Sequence, residues 1–172
     1  MSSVNQADLP ELAEFINAGM EYAVPAMYQL GIRVLEVRPG YAVATVPLAG
    51  NVNHFGSMYA GALFGAAEML GGALFFPSFD AARFYPTVKD VQIRYRRPAT
   101  TDVRAQAELD ATTIERMQHE VETVGKTEFV LDAVLTETTG RVVATTRGTY
   151  QIRGGATSSS ALRSASPKET AR

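Results

Sequence analysis

Asn53-His54-Phe55-Gly56-Ser57-Met58-Tyr59-Ala60-Gly61-Ala62-Leu63-Phe64-Gly65-Ala66-Ala67-Glu68-Met69-Leu70-Gly71-Gly72-Ala73-Leu74-Phe75-Phe76 is the stretch whose reading decides the fold. From Met58 to Phe76 the only charge is Glu68, and apolar residues fall on every face instead of one stripe. A helix of that kind has to be wrapped by the rest of its protein. Ser57 is placed to cap its start, and Pro77 to help end it. Gly61, Gly65, Gly71 and Gly72 each weaken a helix by about 1 kcal/mol against alanine, a cost that close approach of a curved sheet or a second helix would offset. A run this apolar also reaches the length at which a membrane span is considered. Glu68 near its middle, the lack of a basic flank and the strand-like neighbours argue for a core helix and no membrane. A lone carboxylate in such a core either meets a buried partner or does chemistry.

Upstream, Leu9, Leu12, Ala13, Ile16 and Met20 recur at helical spacing behind Asp8, a plausible cap, and Pro10. Residues 25–30 read as a second short helix stopped by Gly31. Residues 32–37 and 41–48 are valine-rich and alternate on either side of Pro39-Gly40, a hairpin pattern. Downstream, residues 77–85 read as an aromatic loop. Val91, Ile93 and Tyr95 then alternate with Gln92, Arg94 and Arg96, giving a strand with one apolar and one basic face. Val103, Ala105, Ala107 and Leu109 form the next strand. Thr112 with Glu115 fits a capping box for a short helix carrying Ile114, Met117, Val121 and Val124 and ending at Gly125. Two further alternating runs flank the turn at Thr139-Gly140. The plan is α+β, with mostly antiparallel strands laid on one buried helix. It divides into an N-terminal helical segment at 1–30, one domain at 31–153, and a Ser- and Ala-rich tail at 154–172 that is expected to be disordered.

A length of 172 residues suits one domain with a sizeable core, and a net charge of -2 gives no electrostatic reason to expect nucleic acid. With no cysteine, disulfides, zinc-thiolate sites and cysteine nucleophiles are excluded. Two histidines and unclustered carboxylates give no metal site and no cofactor to expect. Asp8, Glu11 and Glu14 precede any long apolar run, so the N-terminus does not read as a signal peptide, and a cytoplasmic location is the expectation.

A long helix swaddled by an antiparallel sheet is the hotdog fold, and over about residues 31–153 the chain resembles the hotdog acyl-CoA thioesterases of the phenylacetate-pathway type. It is most similar to a group of bacterial thioesterases of unassigned substrate. In that family an Asn, a Gly three positions on, a His-Gly-Gly at the helix start and an acid within the helix recur at fixed offsets. Asn53, Gly56, Gly61 and Glu68 match; Tyr59 stands where His is usual, and Ala60 where the first Gly of the pair is usual. What the family uses at Ala60 is a backbone N–H, which alanine also supplies.

Thioester hydrolysis needs donors for an oxyanion and a base or nucleophile on the other side of the carbonyl. N–H groups at the helix start, near Ala60 and Gly61, are unpaired by geometry and lie at the positive end of the dipole. Glu68 supplies the second function, its pKa raised by apolar surroundings. Eight residues at about 1.5 Å each put Glu68 roughly 12 Å along the axis from Ala60. One chain therefore cannot bring both to one carbonyl. A homodimer with antiparallel central helices can, as the resemblance also implies, with a tetramer as the larger alternative.

Asn53 is expected to orient water or the carboxylate, or else simply to hold its loop. His54, Gly56, Tyr59 and Phe64 are expected around the substrate. Arg94, Arg96 and Arg97, with Lys89, are candidates for the phosphates of coenzyme A, which is part of the substrate and not a cofactor; the alternative is a solvated strand face. Phe64, Met69, Phe76, Phe79 and Phe84 are candidates for an acyl pocket or for core. Two other readings stand beside hydrolysis. One is a hotdog dehydratase using His54 with Glu68. The other is a protein that binds acyl-CoA or fatty acid without turnover.

Overall fold

The computed structural model describes residues 9–155, so the expected cap Asp8 and the expected tail beyond Gly155 lie outside the described residues. The order is α1 (Leu9–Ala23), α2 (Pro25–Gln29), β1 (Arg33–Arg38), β2 (Tyr41–Val46), α3 (Ala60–Ser78), β3 (Phe84–Tyr95), β4 (Val103–Glu108), α4 (Ala111–Val124), β5 (Lys126–Glu137) and β6 (Val142–Gly154). All six strands pair antiparallel in one sheet, in the order β1-β2-β4-β5-β6-β3. This is the α+β plan that the hydrophobic patterning predicts, with β6 running one residue further than expected, to Gly154.

α3 is the axis of that plan. Its Ala62, Leu63, Ala66, Ala67, Leu70, Ala73 and Leu74 are buried against the concave face of the sheet, where Val34, Ala44, Val103, Ala105, Leu131, Leu135 and Ile152 meet them. By length and hydropathy α3 would pass for a membrane span, yet most of it is buried inside this sheet. Three of its four glycines answer to neighbours. A Cβ on Gly71 would come within 2.2 Å of the Tyr150 ring, one on Gly65 within 3.0 Å of Ile32, and one on Gly61 within 2.4 Å of the Tyr59 ring. Gly72 is different, with nothing within 4 Å. The Tyr150 ring is seated between Gly71 on α3 and Gly148 on its own strand. Its hydroxyl donates to the Glu68 carbonyl at 3.1 Å.

The remaining helices close the ends and one edge. α1 buries Ala13, Ile16 and Met20 and lies along β1, where the Asn17 amide donates to the Val34 carbonyl at 2.9 Å and accepts from the Val34 N–H at 2.7 Å. One side chain thus stands in for the missing neighbour strand. α4 buries Ile114, Met117 and Val121, and Gln118 donates to the carbonyl of Ser78 at 2.7 Å, satisfying the C-terminal end of α3.

Several local expectations are corrected. The cap of α4 is Asp110, whose carboxylate accepts from the Thr113 N–H at 2.7 Å, and not Thr112 with Glu115. Pro77 sits within the last turn of α3, which runs one residue past it to Ser78, and its missing N–H removes the helical donor to the Ala73 carbonyl. β3 starts at Phe84, well before the alternation at Val91. A bulge between Val88 and Asp90 shifts its register, so no single period-two pattern runs through it.

The seat of Tyr150 makes a direct stability test. Gly71→Ala forces a methyl into the ring, and overpacking of this kind costs about 1–3 kcal/mol. Urea unfolding of Gly71→Ala should show that loss, and a variant as stable as wild type would mean that the ring does not rest on the helix backbone.

Candidate active site

The loop before α3 is built from backbone bonds outward. Buried Asn51 donates from its amide to the carbonyls of Leu30 at 2.7 Å and Pro47 at 2.9 Å, while its own carbonyl accepts from the Tyr59 N–H at 2.7 Å. Asn53 Oδ1 accepts from the N–H groups of Phe55 at 2.9 Å and Ser57 at 3.2 Å, and Nδ2 donates to Ser57 Oγ at 3.1 Å and the Met58 carbonyl at 3.3 Å. Gly56, at φ 78°, makes the reversal that a side chain would strain. Both ends of the Asn53 amide are thereby committed to loop geometry. Of its two expected roles, this placement fits the one that holds the helix entrance.

Tyr59, and not Ser57, takes the N-cap position, and it gives no side-chain cap. The Ser57 hydroxyl is held by Asn53 instead. N–H groups of Ala62 and Leu63 return to the Tyr59 carbonyl at 3.0 and 3.3 Å, which leaves those of Ala60 and Gly61 without an acceptor among the described residues. These two donors lie at the positive end of the helix and suit a developing oxyanion. Tyr95 at the end of β3 donates its hydroxyl to the Ala60 carbonyl at 3.0 Å, tying the edge strand to the first helical turn. Burial first, and the nearby Tyr59 second, push the Tyr95 phenol above its ordinary range, so it stays a neutral donor.

A cleft of about 330 Å³ opens beside this helix start, with Asn53, Ser57, Met58, Ala60 and Leu63 on one side and Tyr95, Arg96, Arg97, Pro98 and Ala99 on the other. The N–H groups of Arg96 and Arg97 both reach the Val143 carbonyl, at 2.7 and 3.2 Å, while their side chains are exposed. The other two expected cations are elsewhere. Arg94 lines a depression on the outer face of the sheet with Asp132 and Arg147, and Lys89 is paired with Glu128 at 2.5 Å. His54 is exposed with its ring on Phe55, centroids 3.9 Å apart, and does not line the cleft. Tyr95, Met58, Leu63 and Ala99 were not anticipated; the aromatic next to Arg96-Arg97 was the available signal for Tyr95.

Ala60, Phe64, Glu68, Gly72 and Phe76 form the one stripe of α3 that the sheet leaves at least partly open. The Glu68 carboxylate has no hydrogen-bond or ion-pair partner among the described residues, and burial raises its pKa with no compensating cation. Met69 and Phe84 are core residues. Phe79 stacks on Phe75 at 5.6 Å, and Phe76 meets Phe15 edge-on at 6.3 Å, so an aromatic cluster occupies the far end of the helix.

One helix wrapped by an antiparallel sheet, with open amides at its start and an acid on its free stripe, defines a hotdog-fold protein. The chain belongs to the family described as a domain of unknown function, DUF4442, which matches residues 13–152. Among solved structures it is similar to PA5026 from Pseudomonas aeruginosa, described as a protein of unknown function and probable thioesterase. That likeness has 46% identity and a TM-score of 0.76, over 83% of this chain and 95% of that one. OLEI01261 from Chlorobaculum tepidum, of unknown function, shares 17% identity at a TM-score of 0.76, over 88% of this chain and 100% of that one. A variant of thioesterase PA1618 from Pseudomonas aeruginosa shares 22% identity at a TM-score of 0.65, over 83% of this chain and 94% of that one. The last two likenesses are of fold alone. No curated protein matches.

The state of Glu68 gives a pH signature. Its folded pKa lies above the ordinary value of 4.5, so the folded chain holds the proton more tightly than the unfolded chain. The stability this confers is fully present below that ordinary value and is lost as pH rises through the folded one. Glu68→Gln should match wild type in urea unfolding near ~pH 4 and exceed it near ~pH 7. A difference that did not grow with pH would mean that the carboxylate is not desolvated.

Proposed function

We propose that the protein hydrolyses acyl-CoA thioesters as a homodimer with two shared active sites. The observation that carries this reading is the unpaired, half-buried Glu68 on the same open helix stripe as the free N–H groups of Ala60 and Gly61. The probable-thioesterase description of the 46% identical PA5026 supports the reaction class. In the proposed reaction the Ala60 and Gly61 amides of one copy receive the thioester carbonyl oxygen. Glu68 of the other copy takes a proton from water as its oxygen attacks the carbonyl carbon. The tetrahedral intermediate then collapses with cleavage of the C–S bond. The thiolate leaves and takes up a proton, and the carboxylic acid is released.

Assembly follows from what the chain leaves uncovered. β3 is a free sheet edge, and Phe64 and Gly72 are open beside it. A second copy related by a two-fold axis would cover the edge and bring the two helices together antiparallel. Tyr59 and Phe64 then flank the acyl group, Asn53 and Gly56 fix the loop, and Arg96 and Arg97 meet the phosphates of coenzyme A. His54, on which the dehydratase alternative depends, is exposed and tilted against Phe55, outside the cleft beside Ala60.

Free-thiol release from a panel of acyl-CoA thioesters tests the reaction. Glu68→Gln should fold and dimerise yet lose about 10²–10⁴ in rate, the usual contribution of a positioned base; full activity in that variant would remove Glu68 from the chemistry. Gly72→Gln tests the shared site, because a Cβ added there meets nothing within 4 Å among the described residues. It should stay folded but sediment as a monomer and release little thiol. A fully active Gly72→Gln dimer would overturn the antiparallel arrangement.

A further inference from the structure

Glu137 is the one charged residue buried among the described residues, and the reaction proposed above gives it no task. Its side chain is 1% exposed. Burying a carboxylate is costly unless it is both paired and hydrogen-bonded, and here it is both. Oε1 accepts from the Thr100 N–H at 2.5 Å and the Thr100 hydroxyl at 3.1 Å; Oε2 accepts from Arg141 Nε at 2.7 Å and forms an ion pair with the same guanidinium, 2.5 Å from Nη2. The hairpin between β5 and β6 does not require Thr100. It is already closed by the Glu137 N–H to the Arg141 carbonyl at 3.0 Å and the Gly140 N–H to the Glu137 carbonyl at 2.8 Å. The bonds to Thr100 reach across to a different segment.

That segment, residues 96–100, supplies Arg96, Arg97, Pro98 and Ala99 to one wall of the cleft. At one end the N–H groups of Arg96 and Arg97 are fixed on Val143, and at the other Thr100 is fixed on Glu137, so a single hairpin fastens both ends. Between them the Ala99 carbonyl accepts from the Met58 N–H at 2.8 Å, joining this wall to the loop that leads into α3. All four groups around the carboxylate are donors. An ionised acid can face all of them, whereas glutamine would turn an N–H₂ toward a donor.

We propose that Glu137 is a positioning residue for recognition of the thiol carrier: it holds residues 96–100 so that Arg96 and Arg97 stand at the mouth of the cleft opposite Ala60. This rests on the thioesterase reading only in taking coenzyme A as the carrier. Its signature is selectivity for the phosphate-bearing part of the substrate, which general loosening of the fold would not produce.

The experiment compares one acyl group carried on coenzyme A and on N-acetylcysteamine, which has no phosphate, in wild type, Glu137→Gln and Thr100→Val. For Glu137→Gln, KM for the coenzyme A thioester should rise roughly tenfold, the worth of one hydrogen bond to a charged group. KM for the N-acetylcysteamine thioester and kcat on both should stay near wild type. Thr100→Val removes only the hydroxyl and should show a smaller rise with the same selectivity; it carries the test alone if Glu137→Gln does not fold. An equal rise on both carriers, or none on either, overturns the proposal. Calorimetric titration with free coenzyme A separates this outcome from failure of the hydrolysis reading. If wild type cleaves neither thioester but binds coenzyme A more tightly than the variants, the positioning role stands without hydrolysis. Equal binding by all three, or none by wild type, overturns it.

Discussion

A helix with no polar face exists in water only if something encloses it, and that requirement organises the whole chain. Burial of Ala62, Ala66, Leu70 and Leu74 calls for a sheet that curves around α3. The small side chains of α3 let that sheet approach closely, and the Tyr150 ring rests against the helix backbone at Gly71. Both ends are also sealed by side chains from distant strands and helices: Tyr95 bonds the first carbonyl of α3 and Gln118 the last. Enclosure of one element thus fixes the positions of nearly all the others.

Where the enclosure stops is where chemistry becomes possible. The sheet ends at β3 and leaves one stripe of the helix uncovered, and on that stripe lies a carboxylate that nothing among the described residues neutralises. Burial strong enough to raise its pKa, with no cation to offset it, is unfavourable for folding and favourable for a base. At the start of the same stripe, the amides of Ala60 and Gly61 lack acceptors because a helix has none to offer its first turn. Donors and acid are separated along the axis by simple helical rise, so within one chain they do not meet at one carbonyl.

The helix, the hairpins and Glu68 were legible because each is written in local pattern: an all-apolar run with one charge, alternation broken by Pro-Gly, and a glycine after a helix. What was not legible depends on partners far away in sequence. The first half of β3 hid behind a bulge that breaks alternation, and its pairing with β6 overrides the loop-like composition of residues 77–85. Ser57 looked like a cap until Asn53 claimed its hydroxyl. Arg94 and Arg96 share a parity in sequence, but Arg96 lies past the end of the strand, where its backbone turns onto Val143, and the two part company. Asn51 and Glu137 are polar residues whose importance lies wholly in contacts that close in three dimensions.

The seat of Tyr150 has an evolutionary side. The two edges of one ring press on Gly71 and Gly148, so the three positions form a lock in which no member changes alone without loss. Adding a methyl at either glycine collides with the ring, and shrinking the ring opens a void beside both. Relatives should therefore keep all three residues or replace them together, a co-variation that would mark how far this way of seating the central helix extends through the family.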